Sequence, residues 1–316
     1  MKRILLIVIA AVLACQADGQ QLPRRTQFAL NPYLINPAVA GTKLYTPIMV
    51  TYRNQWAGFT SAPTTATLSA HTSLPNRIGI GGIFFTDNTG GAIQRSGVEL
   101  TGSYHVDLNN QDAVSFGLSG ILGQYSFDNE VLEVWDQGDQ ALQGGMESTL
   151  MLDANFGMMV YGQNYSFGFA FPNLVQTKLN LDSDVAPDDN RNARHYYFMA
   201  NYEYPINDEL TLSPMGLVKF TGASPVQFDM HMQVAFQNVV WGGLTYRHKD
   251  AIAFGFGANL AGLVVGYSYD LTVTDARNFS PHTHELTVGY RIYSQRGVFR
   301  SGTLGPRILD RKRVID

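Results

Sequence analysis

Apolar and polar side chains alternate along this chain with a period of two. In 163–171 the odd positions are Tyr165, Phe167, Phe169 and Phe171, and the even ones are Asn164, Ser166, Gly168 and Ala170. In 226–237 one face carries Val226, Phe228, Met230, Met232, Val234 and Phe236. The other carries Gln227, Asp229, His231, Gln233, Ala235 and Gln237. Successive side chains of a strand point to opposite faces, so each segment is a ribbon with one apolar side and one polar side. The pattern predicts fourteen strands, at 46–54, 64–73, 77–87, 93–107, 111–127, 149–161, 163–171, 194–206, 209–220, 225–237, 239–248, 250–260, 262–273 and 282–294. No helical period competes with it. The fold class expected is all-β: a closed antiparallel transmembrane β-barrel of about fourteen strands, apolar outside against lipid and polar within.

The connections support closure. Tight turns follow the even strands at Leu74-Pro75-Asn76, Leu108-Asn109-Asn110, Gly162, Ile206-Asn207-Asp208, Asn238 and Ala261. The other rim carries 55–63, 128–148, 174–193 and 274–281, with short exceptions near Gly222 and Lys249. Outer-membrane barrels have short periplasmic turns and longer external loops, which sets the expected sidedness. A sandwich or propeller also alternates, but nothing in it requires one long rim and one tight one. Charged residues fall on the polar phase: Glu99, His105 and Asp107 alternate with Val98, Leu100, Tyr104 and Val106, and Glu285 and Arg291 with Leu286, Val288, Tyr290 and Ile292. Pro214 interrupts one strand and should mark a bulge or a shifted register.

The ends add an address. Lys2 and Arg3 precede an apolar run from Ile4 to Ala14, followed by Ala17-Asp18-Gly19, the form of a secretory signal peptide over 1–19. Cys15, the only cysteine, lies in this leader; the bulky Leu13 departs from a lipoprotein cleavage box. After cleavage no thiol remains for a disulfide or a thiolate metal site. Removing Lys2, Arg3 and Asp18 from 22 basic and 26 acidic residues leaves 20 and 25, a net −5 that gives no electrostatic case for nucleic acid. The mean hydropathy of −0.08 is what alternation produces when both phases are averaged.

The expected domains are therefore the signal peptide 1–19, an N-terminal segment 20–45 that is a plug or periplasmic, the barrel 46–294, and a periplasmic tail 295–316. The N-terminal segment holds Asn31-Pro32-Tyr33 and Asn36-Pro37-Ala38-Val39-Ala40-Gly41, turn-forming pairs whose apolar neighbours Leu34, Ile35 and Val39 need burial. We expect Asn31–Gly41 to be ordered against the inner wall. The tail carries Arg296, Arg300, Arg307, Arg311, Lys312 and Arg313 against Asp310 and Asp316, a net +4.

Candidate chemistry is sparse. Gly117-Leu118-Ser119-Gly120 is one glycine displaced from a nucleophile elbow. Asp229 and His231 share a face, as a base and its orienter in a hydrolase do, but a polar lumen needs such side chains in any case. His282-x-His284, with Asp275 nearby, offers two metal ligands without a defined third. Asp182, Asp184, Asp188 and Asp189 lack the glycine and terminal glutamate of a calcium loop. No catalytic residue, metal site or cofactor is expected. The loop 128–148 combines Asp128, Glu130, Glu133, Asp136, Asp139 and Glu147 with Val131, Leu132, Val134 and Trp135; it is either a docking surface, or a segment folded inward as a constriction or lying over the barrel mouth.

The run NPYLINPAVAG at Asn31–Gly41, then Tyr52-Arg53-Asn54-Gln55-Trp56-Ala57-Gly58-Phe59 and Ala62-Pro63-Thr64-Thr65, resembles the PorP/SprF family of type IX secretion-associated outer-membrane proteins. Gly79-Ile80-Gly81-Gly82 with Asp87, Tyr267-Ser268-Tyr269-Asp270, His284-Glu285 and Gly289-Tyr290-Arg291 add to the resemblance, which spans the whole mature chain. The basic extension after Ser294 departs from it. The resemblance implies a non-enzymatic barrel integral to the outer membrane of a Gram-negative cell. It would assist type IX secretion, or the export and surface anchoring of a large gliding-type adhesin. The partners implied are outer-membrane lipids, type IX secretion components and that secreted protein. Candidate partner-binding residues are Asn31, Pro32, Asn36, Pro37, Trp56, Trp135, Asp136 and Asp139. A porin or small-solute channel is the alternative, and an outer-membrane hydrolase the third reading.

Overall fold

The structure is a computed structural model and describes residues 25–109, 111–128, 145–178, 191–222, 224–278, 280 and 282–293. Its strands are β1 Tyr45–Asn54, β2 Thr64–Leu74, β3 Ile78–Thr89, β4 Ile93–Asp107, β5 Ala113–Asp128, β6 Met146–Tyr161, β7 Tyr165–Phe171 and β8 His195–Tyr202. They continue with β9 Tyr204–Pro205, β10 Leu210–Thr221, β11 Ser224–Phe236, β12 Val240–Arg247, β13 Ala251–Leu260, β14 Leu263–Thr272 and β15 His282–Tyr293. The two-residue β9 continues β8 past Glu203, and both pair with β10, so fourteen staves form the wall. Neighbours are antiparallel throughout, and the ring closes where β1 pairs with β15 in register from Tyr45↔Tyr293 to Asn54↔His284.

Burial is inverted relative to a water-soluble domain. The apolar phase faces out, with Leu100, Met230, Val50 and Phe167 exposed, while Asp229, Asp270, Glu285 and Thr287 are buried inside. A charge on the lipid face costs up to ~2–4 kcal/mol at the membrane midplane, and alternation removes it without any local adaptation. Tight turns gather at one end, here the turn end. They include Asn76 and Arg77, Gln237 and Asn238, and Ala261 and Gly262, each pair with positive φ, as a two-residue hairpin requires. The opposite, loop end carries the long connections, together with short ones between β3 and β4, β10 and β11, and β12 and β13.

Pro214 neither bulges nor shifts the register with β11, where it lies opposite Met232. On its other side, the ladder skips Ser213 and Pro214 between the β8 and β9 pairings. A proline has no N–H to give, and the wall places it where no bond is required. The irregularity of β10 lies instead between Lys219 and Thr221.

Residues 25–41 run inside the barrel. They begin beside Arg53 and Glu285 in the loop-end half and reach Gly79 and His105 at the turn end, just before β1. Each Asn-Pro pair opens a short 3-10 turn, Pro32–Leu34 and Pro37–Val39, with proline at a first-turn position where its missing N–H costs nothing. Asn36 caps its own turn by accepting from the Ala38 amide at 2.9 Å. The segment's apolar side chains meet apolar residues that break the polar phase of the wall. Tyr33, Ala38 and Val39 pack with Ile83, Met159 and Tyr161. Phe28 packs with Met199, Met215 and Leu217. The molecule's core is therefore the contact between this segment and the inner wall.

Candidate functional site

The inner wall holds the segment by its main chain as much as by its side chains. At its start, the amides of Thr26 and Gln27 donate to the two carboxylate oxygens of Glu285 at 2.8 and 3.1 Å. The Thr26 hydroxyl donates to Asp270 Oδ2 at 2.7 Å and accepts from Arg53 and Arg247 at 2.7 and 2.9 Å. Arg53 bridges Asp270 and Glu285 at 3.0 and 2.9 Å, Arg247 contacts Asp250 and Asp270 at 2.8 and 3.4 Å, and Lys219 meets Asp229 at 2.8 Å. These charges come from β1, β10, β11, β12, β14 and β15 and, for Asp250, from the turn between β12 and β13. Every one is matched by an opposite charge, as burial demands.

Further along, Asn31 donates to Ser69 Oγ at 2.8 Å and the Tyr33 hydroxyl to Thr101 Oγ1 at 2.7 Å. Burial pushes the Tyr33 phenol pKa up, so it stays a neutral donor. Asn36 Nδ2 reaches the carbonyls of Met158 and Phe169 at 3.2 and 3.1 Å. Ser115 donates to the Ala38 carbonyl at 2.7 Å, and Ser103 and His105 converge on that of Ala40 at 2.7 and 2.9 Å. Where the segment lies closest the wall carries glycine. A Cβ on Gly117 would land on the Pro37–Ala38 peptide, one on Gly79 on the Ala40 carbonyl, and one on Gly157 on the Asn36 amide. These glycines are required by close approach, not by strand geometry.

The candidate residues fall into three groups. Asn31, Asn36 and Pro37 are buried inside the barrel and Pro32 half-buried, with the amides of both asparagines bonded to the wall. Trp56 lies at the loop end, half-buried, its amide donating to Thr283 Oγ1 at 3.0 Å while Ala57 donates to the His282 carbonyl at 2.8 Å. Trp135, Asp136 and Asp139 lie outside the described residues, as do the leader, the Asp182–Asp189 cluster and the tail.

Asp229 and His231 do not form a pair: Asp229 binds Lys219, and His231 Nδ1 meets Thr245 Oγ1 at 2.8 Å. His284 Nδ1 bonds the Tyr267 hydroxyl at 2.7 Å, and among the described residues no three potential ligands gather around a metal position. Toward the turn end the segment leaves a cavity of about 240 Å³, whose lining includes Tyr161, Asn201, Gln233, Trp241 and Arg291. Sequence reasoning missed Thr26, Gln27, Asp270 and Arg247 as anchors. The available signal was Asp270, which shares the polar phase with Ser268.

A sheet closed on itself, an apolar exterior and a polar, partly filled lumen describe a membrane barrel. Residues 17–290 match the family described as type IX secretion system membrane protein PorP/SprF. The chain belongs to that family. Its barrel is therefore an outer-membrane component associated with type IX secretion. No curated protein sequence matches this PorP/SprF chain significantly. Among solved structures it is similar to a Pseudomonas aeruginosa FadL homologue, at 12% identity over 88% of this chain and 96% of that one, TM-score 0.47. It is similar to the Ralstonia pickettii toluene transporter TbuX at 9% identity over 82% and 92%, TM-score 0.47. The NanC porin follows at 11% identity over 79% and 99%, TM-score 0.39. At such identities and TM-scores the likeness says nothing of a solute.

Proposed function

We propose that this PorP/SprF barrel works by contact and without chemistry of its own, as a plugged outer-membrane station that helps export a large adhesin-like surface protein or keep it at the surface. The observation that carries the reading is the luminal segment, bonded to β1, β2, β4, β5, β6, β7, β12, β14 and β15. A free aqueous channel gains nothing from such an insert. In this reading the leader 1–19 is removed on export, lipid meets the apolar belt, the turn end and tail 295–316 face the periplasm, and the loops face outward.

Docking of the surface protein is assigned to the loop end, where Trp56 sits and where Trp135 stands among Asp136 and Asp139 in the sequence. An aromatic anchor ringed by acidic residues suits a central contact. Asn31, Pro32, Asn36 and Pro37 act indirectly, by holding the segment that fills the barrel. Type IX components would meet the periplasmic face, and gliding would follow if the served protein is a motility adhesin.

The test is deletion of the gene followed by proteomics of the cell surface. Loss of one or a few large type IX substrates supports an accessory role, and loss of all of them a core role. Trp135→Ala combined with Asp136→Asn and Asp139→Asn should reproduce the defect with the barrel still assembled. Normal surface proteins with impaired uptake of a small solute would favour the channel reading instead.

A further inference from the structure

On the loop-end side of the luminal segment lies a second cavity, of about 110 Å³, between the segment and the strands β2 to β8. Its floor is apolar, formed by Leu34, Ile35, Phe85, Ile121 and Met151. Two guanidiniums, Arg25 of the segment and Arg95 of β4, and two carboxylates, Asp87 and Glu99, line it. The carboxylates are engaged by the wall. Asp87 accepts from Thr65 at 2.5 Å and from Thr89 at 3.3 Å, and Glu99 is hydrogen-bonded by Ser119 and Asn155.

The guanidiniums are not so engaged. Among the described residues neither Arg25 nor Arg95 is within ion-pair distance of a carboxylate. Arg95 reaches only the Met151 sulfur, at 3.5 Å, and its buried Nε has no hydrogen-bond partner. Arg53, Lys219 and Arg247, by contrast, are each paired with a carboxylate. Burial lowers the Arg25 pKa from its ordinary value against the pull of Glu285, Tyr197, Asp87 and Glu99, the condition of a cation short of an anion.

We infer that this cavity binds a single carboxylate carried on an apolar stem. The planar forks of Arg25 and Arg95 suit a carboxylate, which they can grip through paired N–H···O bonds. Asp87 and Glu99 in the lining, with Asp153 close to Arg95, offset the two guanidiniums and oppose a second negative charge on the ligand, so a monoanion is favoured over a dianion such as phosphate. The volume is below that of a drug-sized site and admits the end of a molecule, one side chain with its charge. Two sources share this chemistry: the C-terminal residue of a polypeptide and the head of a free fatty acid. The inference stands apart from the export reading, since it rests on the cavity alone.

The test uses the full-length protein in lipid nanodiscs and four probes followed by saturation-transfer NMR and calorimetry. These are acetyl-Ala-Ala-Leu with a free carboxylate, the same peptide amidated, octanoate, and octanol. A free carboxylate should bind at least tenfold more tightly than its neutral counterpart. Arg95→Gln should weaken it at least tenfold. Arg25→Gln should do the same, and since Arg25 lies outside the wall its replacement leaves the barrel closed. Arg77→Gln, whose guanidinium pairs with Asp107 at the turn end, should change nothing. Preference for the acid peptide over octanoate assigns the site to a chain end, and the reverse assigns it to a fatty acid; both uphold the pocket. Equal binding of acid and neutral probes, no binding of either acid, or insensitivity to both arginine variants overturns it.

Discussion

Glu285, on the last strand, accepts the backbone amide of Thr26, 259 positions earlier in the chain, at 2.8 Å. The same strand closes the ring by pairing with β1, so one element both completes the wall and fixes what lies inside it. Arg53, on the partner strand, ties the two together through its 2.9 Å contact with Glu285 Oε2.

Glu285→Ala should therefore loosen the segment before it opens the barrel. Removing Glu285 leaves Arg53 with Asp270 alone, an acceptor that Arg247 also contacts, and costs up to about 3–5 kcal/mol, the range for breaking a buried ion pair. The two amides of Thr26 and Gln27 lose their acceptor as well. Urea unfolding in vesicles should show the reduced stability, and single-channel recording in planar bilayers should show new conductance. An unchanged, silent bilayer record would mean that the segment is held without this anchor.

Gly117 and Gly120 lie three residues apart on β5 and face opposite ways. Gly117 lies under the Pro37–Ala38 peptide, while a Cβ on Gly120 would meet nothing within 4 Å. Gly117→Val should cost at least about 1–3 kcal/mol, the range for overpacking a filled interior, and expose the segment to protease. Gly120→Val adds a β-branched side chain to the outer face and should leave assembly and stability unchanged. Limited proteolysis of the two variants side by side decides it. Equal behaviour would show that the segment does not require the gap at Gly117.

The wall was legible in the sequence because one physical rule generates it. Lipid outside and polar lumen inside impose a strict period of two, and the expected strands lie within a few residues of those observed. The break at Glu203 was not legible, since neither a proline at 205 nor one at 214 says which side of a ladder is left open. The luminal segment was visible as turn-forming residues with apolar neighbours, but not its anchors. Thr26 and Gln27 look like linker, and the carboxylates that hold them lie more than two hundred positions away. One signal was present and unread: Ile83, Met159, Met199 and Met215 interrupt the polar phase, and they mark the footprint of the segment on the wall.

The two faces of β7 give a direct check on the membrane belt. Phe167 is exposed on the outer face, while Ser166 lines the turn-end cavity. Phe167→Arg should cost up to about 2–4 kcal/mol according to its depth and block assembly, whereas Ser166→Arg should be tolerated over water. Heat-modifiable migration on gels reports folded barrel for each. Similar tolerance at both positions would remove the lipid contact from this strand.

The asymmetry of the two rims predicts the sidedness, and sidedness decides which end can meet a surface protein. Thr60, in the β1–β2 connection, and Asp208, in the turn after β9, are both exposed and lie at opposite ends of the barrel. Cys15 is the only cysteine in the sequence and lies in the segment read as a leader, so single cysteines placed at either position report alone after its removal. An impermeant maleimide on intact cells should label Thr60→Cys and leave Asp208→Cys unlabelled until the outer membrane is permeabilised. The proposed docking at Trp56 and the acidic loop requires this result, because an exported protein reaches them only from outside. Labelling of Asp208→Cys alone would turn the barrel over, place the long loops in the periplasm, and move any contact with a surface protein to the tight turns.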